Sequence, residues 1–416
     1  MDIDTFKTYR QRYADLLVRF GLNVQPGQVV NISTEVIHSD FAYDVLESCY
    51  KVGAKYVGMD LGHPKSLRAR ILEGKSEDLT YVPAYLSTKY KDLVDESACN
   101  LKIIGSQYPE ILADLDPQKI NTVRLNQHMA IKYFYDEGIG KSKVQWTVAA
   151  ASTPGWAKRL FPTLEEEHAE ARLWNHIFKI CRADREDYLE AWQIHDKKLH
   201  ARAELLNEME IETVYFTGPG TDLEVSLTKN SLFKGGSDKG PSGAAFEPNV
   251  PTEEVFTTPD ARRTRGNVSA TRPFLVNGKL IKGLKLEFDN GEIKSLKAEE
   301  GEESFKEYIS SDPGAKRLGE LALVGIDSPV YQSGIVFEEI LFDENAACHI
   351  AVGSAYKFCV KGGTTMTKEQ LAEIGCNEST VHTDMMISSE KVSVEAKCFD
   401  GTRKVLIKDG AWVEGM

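Results

Sequence analysis

Between Arg272 and Ala298 the chain reads RPFLVNGKLIKGLKLEFDNGEIKSLKA, with two Asn-Gly dipeptides set between runs of alternating apolar and polar residues. A two-residue turn joining antiparallel strands needs positive φ at both central positions, which Asn and Gly adopt at little steric cost. This part of the chain is therefore confined to hairpins. VYFTGPGTDLEVSL, Val214 to Leu227, adds a further strand pair around a Gly-Pro-Gly turn.

Upstream of about residue 200 the pattern is different. GQVVNIS reads as a strand, DFAYDVLESCYKVG as a helix ending at Gly53, and AKYVGMDLG as a second strand. LKIIGS and VQWTVAAAS repeat the strand pattern, with helical segments between Asp116 and Asp136. Strands alternating with helices build βαβ units and a mostly parallel sheet. TLEEEHAEARLWNHIFKICRA and AWQIHDKKLHARAELLNEM are nearly all helical and form a bridge. A chain of 416 residues exceeds one ordinary core. The expected organisation is an α/β N-terminal domain over 1–200, ending in the helical bridge, and a predominantly antiparallel β (α+β) catalytic domain over 201–416. GEESFKEYISSD is the one helix inserted in the second domain.

Fifty Lys plus Arg against 63 Asp plus Glu give a net charge of −13, which argues against nucleic acid or an anionic membrane as the main partner. An acidic cavity would instead favour cationic groups such as free amines. Seven cysteines without a Cys-x-x-Cys pair indicate reduced thiols, not a disulfide framework or a thiolate zinc site. The N-terminus is charged and amphipathic, and no apolar run is long enough to span a bilayer, so a cytoplasmic location is expected. No strand-to-helix Gly-x-Gly-x-x-Gly and no Gly-x-Ser-x-Gly elbow occurs, which argues against dinucleotide binding and serine hydrolysis.

Side chains with chemical potential concentrate in the second half. In NESTVHTDMMIS, His382 and Asp384 stand two apart and share a face if the segment is a strand. LFDENAACHIAVGSAYK carries Glu344, His349 and Tyr356, VPTEEVFTTPD carries Glu253 and Glu254, and KRLGELALV sets Glu320 in an apolar run. Each has a plainer reading: a surface His–Asp hydrogen bond, a satisfied core histidine, a sheet aromatic, an exposed acidic loop, an edge strand turning Glu320 to water. Taken together, the carboxylates and imidazoles are the donor types that hold two divalent ions about 3.5–4 Å apart.

PNVPTEEVFTTPD, GELALV, FEEILFDENAACHIAVGSAY and GCNESTVHTDMMI, in that order, resemble the aminopeptidase T family of metallopeptidases, which includes the aminopeptidase S and PepS types. The resemblance covers most of the second domain. It implies metal ligands at Glu254, Glu320, Glu344, His349, His382 and Asp384 and Tyr356 assisting catalysis; of the ligands, Glu320 is the choice for the carboxylate bridging two divalent ions. Zinc or cobalt is the expected metal, with magnesium or manganese as alternatives. It also implies a homodimer enclosing a cavity that admits short peptides. The expected function is removal of N-terminal residues from peptides with a free N-terminus by a metal-activated water. Glu253 is the candidate to accept the proton of that water. A two-metal phosphoesterase is the alternative, with Arg262, Arg263 and Arg265 of DARRTRGN as phosphate clamps. A non-catalytic metal-binding or peptide-binding scaffold is a further one.

Overall fold

In a computed structural model, described here for residues 2–416, the chain divides into two compact units. One comprises Met1–Ile194 with Ser237–Pro251, the other His195–Gly236 with Thr252–Met416. This division differs from the expected 1–200 and 201–416 in two respects. The change falls inside the helix Tyr188–Glu208, and Ser237–Pro251 returns to the first unit, where Asn249–Val250 pairs with its sheet. A two-residue strand carries too little periodicity to be seen in sequence.

The first unit is α/β, as its grammar implied. Strands β1 (Val29–Glu35), β2 (Tyr56–Gly62), β3 (Cys99–Ile104) and β4 (Gln145–Ala150) run parallel in the order β2-β1-β3-β4, and Asn249–Val250 extends the sheet beyond β4. Asp2 caps the helix Ile3–Leu16 by accepting from the Asp4 and Thr5 N–H groups, which satisfies two donors that a helix start leaves unpaired. Tyr13 of that helix stacks on Phe41 at 5.3 Å, and Phe41 meets Trp174 edge-on at 5.5 Å. These rings join three helices over the buried strand residues Val30, Ile32 and Leu101.

In the second unit, beside a short hairpin of Phe274–Val276 and Lys279–Ile281, the strands are β5 (Ile211–Gly218), β6 (Thr221–Leu227), β7 (Val255–Thr257), β8 (Pro259–Ser269), β9 (Lys285–Asp289), β10 (Glu292–Lys297), β11 (Leu318–Leu323), β12 (His349–Gly353), β13 (His382–Met386), β14 (Ser393–Cys398), β15 (Arg403–Lys408) and β16 (Ala411–Trp412). Eight form one antiparallel sheet, ordered β10-β9-β8-β6-β5-β14-β15-β16, and four form a smaller one, β7-β11-β12-β13. Both Asn-Gly dipeptides occupy hairpin turns with positive φ, Asn277 at 51° and Gly278 at 80°, Asn290 at 51° and Gly291 at 77°. The helix Glu302–Tyr308 is the expected insertion, but it is not the one helix of this part: Pro329–Gln332, Ile340–Asp343 and Lys368–Glu373 are short helices whose one or two turns leave too little periodicity to be read in sequence.

One hydrophobic core joins the two sheets, with Phe216, Leu223 and Val394 from the larger and Leu321, Ile350 and Met385 from the smaller. Full burial of such a side chain is worth about 1.5–3 kcal/mol. The core therefore fixes which face of the four-stranded sheet points inward. All seven cysteines are free and buried. No helix among the described residues is long and apolar enough to cross a membrane.

Candidate metal centre

Strand alternation turns Val255, Leu321, Leu323, Ile350, Val352 and Met385 into the core and leaves the intervening residues on the opposite face. The register places Glu320 opposite Ala351, Ala351 opposite Asp384, and Gly353 opposite His382. Ala322 lies opposite both His349 and Phe256. Directly opposed residues share a face. Glu320, His349, His382 and Asp384 therefore rise from one side of the sheet, and Glu254, two residues before Phe256, extends the same row. The residues between them are small, Ala322, Ala351 and Gly353, so the polar groups converge over an open floor.

The distances bear this out. Nε2 of His349 lies 3.1 Å from Glu254 Oε2 and 4.0 Å from Asp384 Oδ1. Nε2 of His382 lies 3.2 Å from Glu320 Oε2 and 3.5 Å from Asp384 Oδ1. Two groups have ligand atoms all within 4.8 Å of one another, Glu254 with Glu320 and His349, and Glu320 with His382 and Asp384. Glu320 is common to both. On the far side of each ring, Nδ1 faces a carbonyl, Ser354 O at 2.8 Å for His382 and Ala347 O at 3.3 Å for His349. A carbonyl only accepts, so Nδ1 carries a proton and Nε2 is the nitrogen turned toward the cluster. Metal-binding histidines are commonly oriented in this way.

Electrostatics point the same way. Burial raises the Glu320 pKa, with the Asp384 and Glu254 charges adding to the rise and contact with His382 opposing it. Glu344 is held well above the usual carboxylate range by burial and by the Glu254 and Asp384 charges. Burial works against charge on His349 and His382, but their carboxylate neighbours outweigh it and hold both well above the ordinary histidine value. Asp384 is lowered, since His382 overcomes the burial that would raise it. Buried carboxylates crowded in this way are costly unless cations compensate them. Glu254 Oε2 is buried and, despite its approach to His349, accepts no well-formed hydrogen bond. A donor set of this kind, with a carboxylate oxygen left unsatisfied, fits divalent metal ions.

The remaining candidates stand around this cluster. Glu344 begins a single helical turn, Glu344–Ala346, and falls outside both groups, although its charge is coupled to theirs. Tyr356 OH lies 3.4 Å from His382 Nε2, and its ring meets Phe256 edge-on at 5.6 Å. The Glu253 carboxylate lies 3.4 Å from Nε2 of His195, which also donates to Thr252 O at 2.8 Å. The Glu253 N–H donates to Asn345 Oδ1 at 2.7 Å. Neither His195 nor Asn345 was identified from sequence, because both reach the 252–254 segment from distant positions and no local pattern marks them.

Two plainer readings do not hold. Glu320 sits on β11, an interior strand of its sheet, with 3% of its surface exposed, so an edge position turned to water is excluded. Glu253 and Glu254 are buried, not an exposed acidic loop. Arg262, Arg263 and Arg265 belong to strand β8 and are engaged with Asp260, Glu212 and Glu224 respectively. Cations neutralised in this way are poorly suited to clamp phosphate.

Aminopeptidase PepS of Streptococcus thermophilus is 38% identical over 414 residues, covering 99% of this chain and 100% of that protein. Aminopeptidase T of Thermus thermophilus is 38% identical over 411 residues, with the same coverage. A solved structure, wild-type AmpT from Thermus thermophilus, superposes with a TM-score of 0.91 at 37% identity, covering 98% of this chain and 100% of that one. The sequence pattern of one family matches residues 6–412, and the chain therefore belongs to the family described as thermophilic metalloprotease (M29), whose members are hydrolases of peptide bonds.

Proposed function

We propose that the chain is an aminopeptidase that removes the N-terminal residue of short peptides at a two-metal centre. The observation that carries this reading is the Glu320 carboxylate, shared by two ligand groups on one sheet face. In this reading Glu254, Glu320, His349, His382 and Asp384 would hold the ions, with Glu320, common to both groups, as the residue chosen to serve both. Glu344 completes the set, so that four carboxylates balance two divalent charges. Ions held there would lower the pKa of a bound water toward neutrality and polarise the scissile carbonyl.

The chain's own groups supply the rest. Side-chain exposure is 24% at His382 and 1% at His349, so the substrate is taken to approach from the His382 and Tyr356 side. Burial and the surrounding carboxylates hold the Tyr356 pKa well above its ordinary value, leaving its hydroxyl protonated as a donor to the oxyanion. Glu253, with His195 beside it, is assigned to accept the water proton and return it to the leaving amine. The net charge of −13 favours a substrate entering with a free ammonium. Zinc or cobalt as the ion, a homodimer and a cytoplasmic location belong to the same reading.

The test is substitution at the bridge. Glu320→Ala is expected to remove hydrolysis of free-amine peptides and to lower bound metal from two ions toward none, measured by elemental analysis of protein with native-like circular dichroism. Chelated wild type should lose activity and regain it with zinc or cobalt, while N-acetylated peptides and phosphomonoesters remain untouched throughout. Full activity in Glu320→Ala would overturn the two-metal assignment.

A further inference from the structure

Glu253 and Glu254 are adjacent, yet their carboxylates meet different neighbours. Glu254 Oε2 lies 3.1 Å from His349 Nε2, and Glu253 Oε2 lies 3.4 Å from His195 Nε2. Both residues stand immediately before β7, whose ladder to β11 begins at Val255. The peptide joining Thr252 to Glu253 is therefore outside the ladder, and any change in its orientation would displace the Glu253 side chain.

Side chains hold that peptide from both sides. His195, on the helix Tyr188–Glu208, donates from Nε2 to Thr252 O at 2.8 Å, and the Glu253 N–H donates to Asn345 Oδ1 at 2.7 Å. The C=O and N–H of a trans peptide point in opposite directions, so the two side chains pin one plane at its two ends. Asn345 is wholly buried and itself anchored. Its Nδ2 donates to Leu341 O at 2.8 Å and lies 3.5 Å from Glu344 Oε1, and its carbonyl accepts from Ser328 Oγ. An amide offers an acceptor to Glu253 and a donor to Leu341 while carrying no charge among buried carboxylates. An aspartate there would keep the first bond, lose the second and set a further carboxyl against Glu344.

We infer that Asn345 and His195 are positioning residues for the proton transfer: together they fix the Thr252–Glu253 peptide and so aim the Glu253 carboxylate. This rests on the role proposed above for Glu253. His195 restrains it twice, since the Nε2–H that reaches Thr252 O also faces Glu253 Oε2. His195 lies outside both ligand groups, and the Asn345 amide oxygen is taken by the Glu253 N–H. Loss of either side chain therefore falls on the rate and not on metal content. A misplacement of about 1 Å at a reacting group can cost about 10²-fold in rate.

The test is a set of substitutions in the full-length protein, read in kcat, KM and bound metal with a free-amine peptide. Asn345→Ala and His195→Ala are each expected to lower kcat about 10–10²-fold with KM and metal content near wild type. His195→Gln, whose amide N–H can still donate to Thr252 O, should recover most of the rate. Glu253→Gln is the reference. Adding Asn345→Ala or His195→Ala to it should cost little more, because residues that act through one group do not lose rate independently. Wild-type kcat in both alanine variants, losses that multiply with that of Glu253→Gln, or metal lost in step with activity would overturn the inference. If Asn345→Ala does not fold, the His195 variants decide it. Full activity in Glu253→Gln would instead strike the proton acceptor of the proposed function, and this inference with it.

Discussion

At the scale of the residue, Tyr356 is the side chain proposed to donate to the oxyanion. Its hydroxyl stands 3.4 Å from His382 Nε2, its ring is wedged against Phe256 and Phe358, and burial among carboxylates keeps it protonated. A neutral donor beside a developing oxyanion acts mainly in the transition state. Tyr356→Phe is therefore expected to lower kcat about 10²–10³-fold with KM and metal content near wild type, the magnitude seen when one oxyanion donor is removed. Steady-state kinetics and metal analysis check this, and an unchanged kcat would remove Tyr356 from the chemistry. The sequence marked it only through its family resemblance, because an aromatic after a strand is ordinary on its own.

At the scale of the element, the four-stranded sheet is the device that assembles the site. Its two-residue period turns every second side chain of β11, β12 and β13 away from the core. The shared face of His382 and Asp384 was legible for this reason, whereas the choice of Glu254 over Glu253 came from the family resemblance. Glu320 was not, because its exposure depends on whether β11 is an edge or an interior strand, and strand order is a long-range property. Gly353 holds the floor beneath His382 at a φ of 105°, and a Cβ there would come within 2.0 Å of the Val381 carbonyl oxygen. Gly353→Ala should destabilise the fold by about 1–3 kcal/mol, the scale of a strained backbone position, and displace the start of β13. Denaturant unfolding and zinc affinity measured together test this. Wild-type values for both would show that the floor tolerates a side chain.

Across the whole molecule, the proposed metal centre would link stability to pH. Burial lifts Glu320 and Asp343 to about 7, and Glu344 rises with them. Without metal, the folded chain retains protons that the unfolded chain has released, so stability is full below the ordinary carboxylate range and falls as pH rises toward 7. His349 and His382, raised above 6.5, extend the same sign to higher pH. Bound ions replace the protons of the ligand groups. The melting temperature of the chelated protein should therefore fall from pH 5 to pH 8 relative to the loaded protein, the gap widening by several degrees, since each kcal/mol shifts a domain of this size by about 2–4 °C. Scanning calorimetry of both forms gives the comparison, and a gap independent of pH would contradict the linkage.

Local chemistry in the sequence determined the hairpins at Asn277 and Asn290, the βαβ grammar of the first unit and the shared face of His382 and Asp384. Turn conformations and strand periods are set by neighbouring residues, so a linear reading reaches them. The tertiary structure alone decided that β11 is an interior strand burying Glu320, that Asn249–Val250 joins the first unit's sheet, and that His195 meets Glu253. Each of these is a contact between residues remote in the chain, selected by which faces the cores bury.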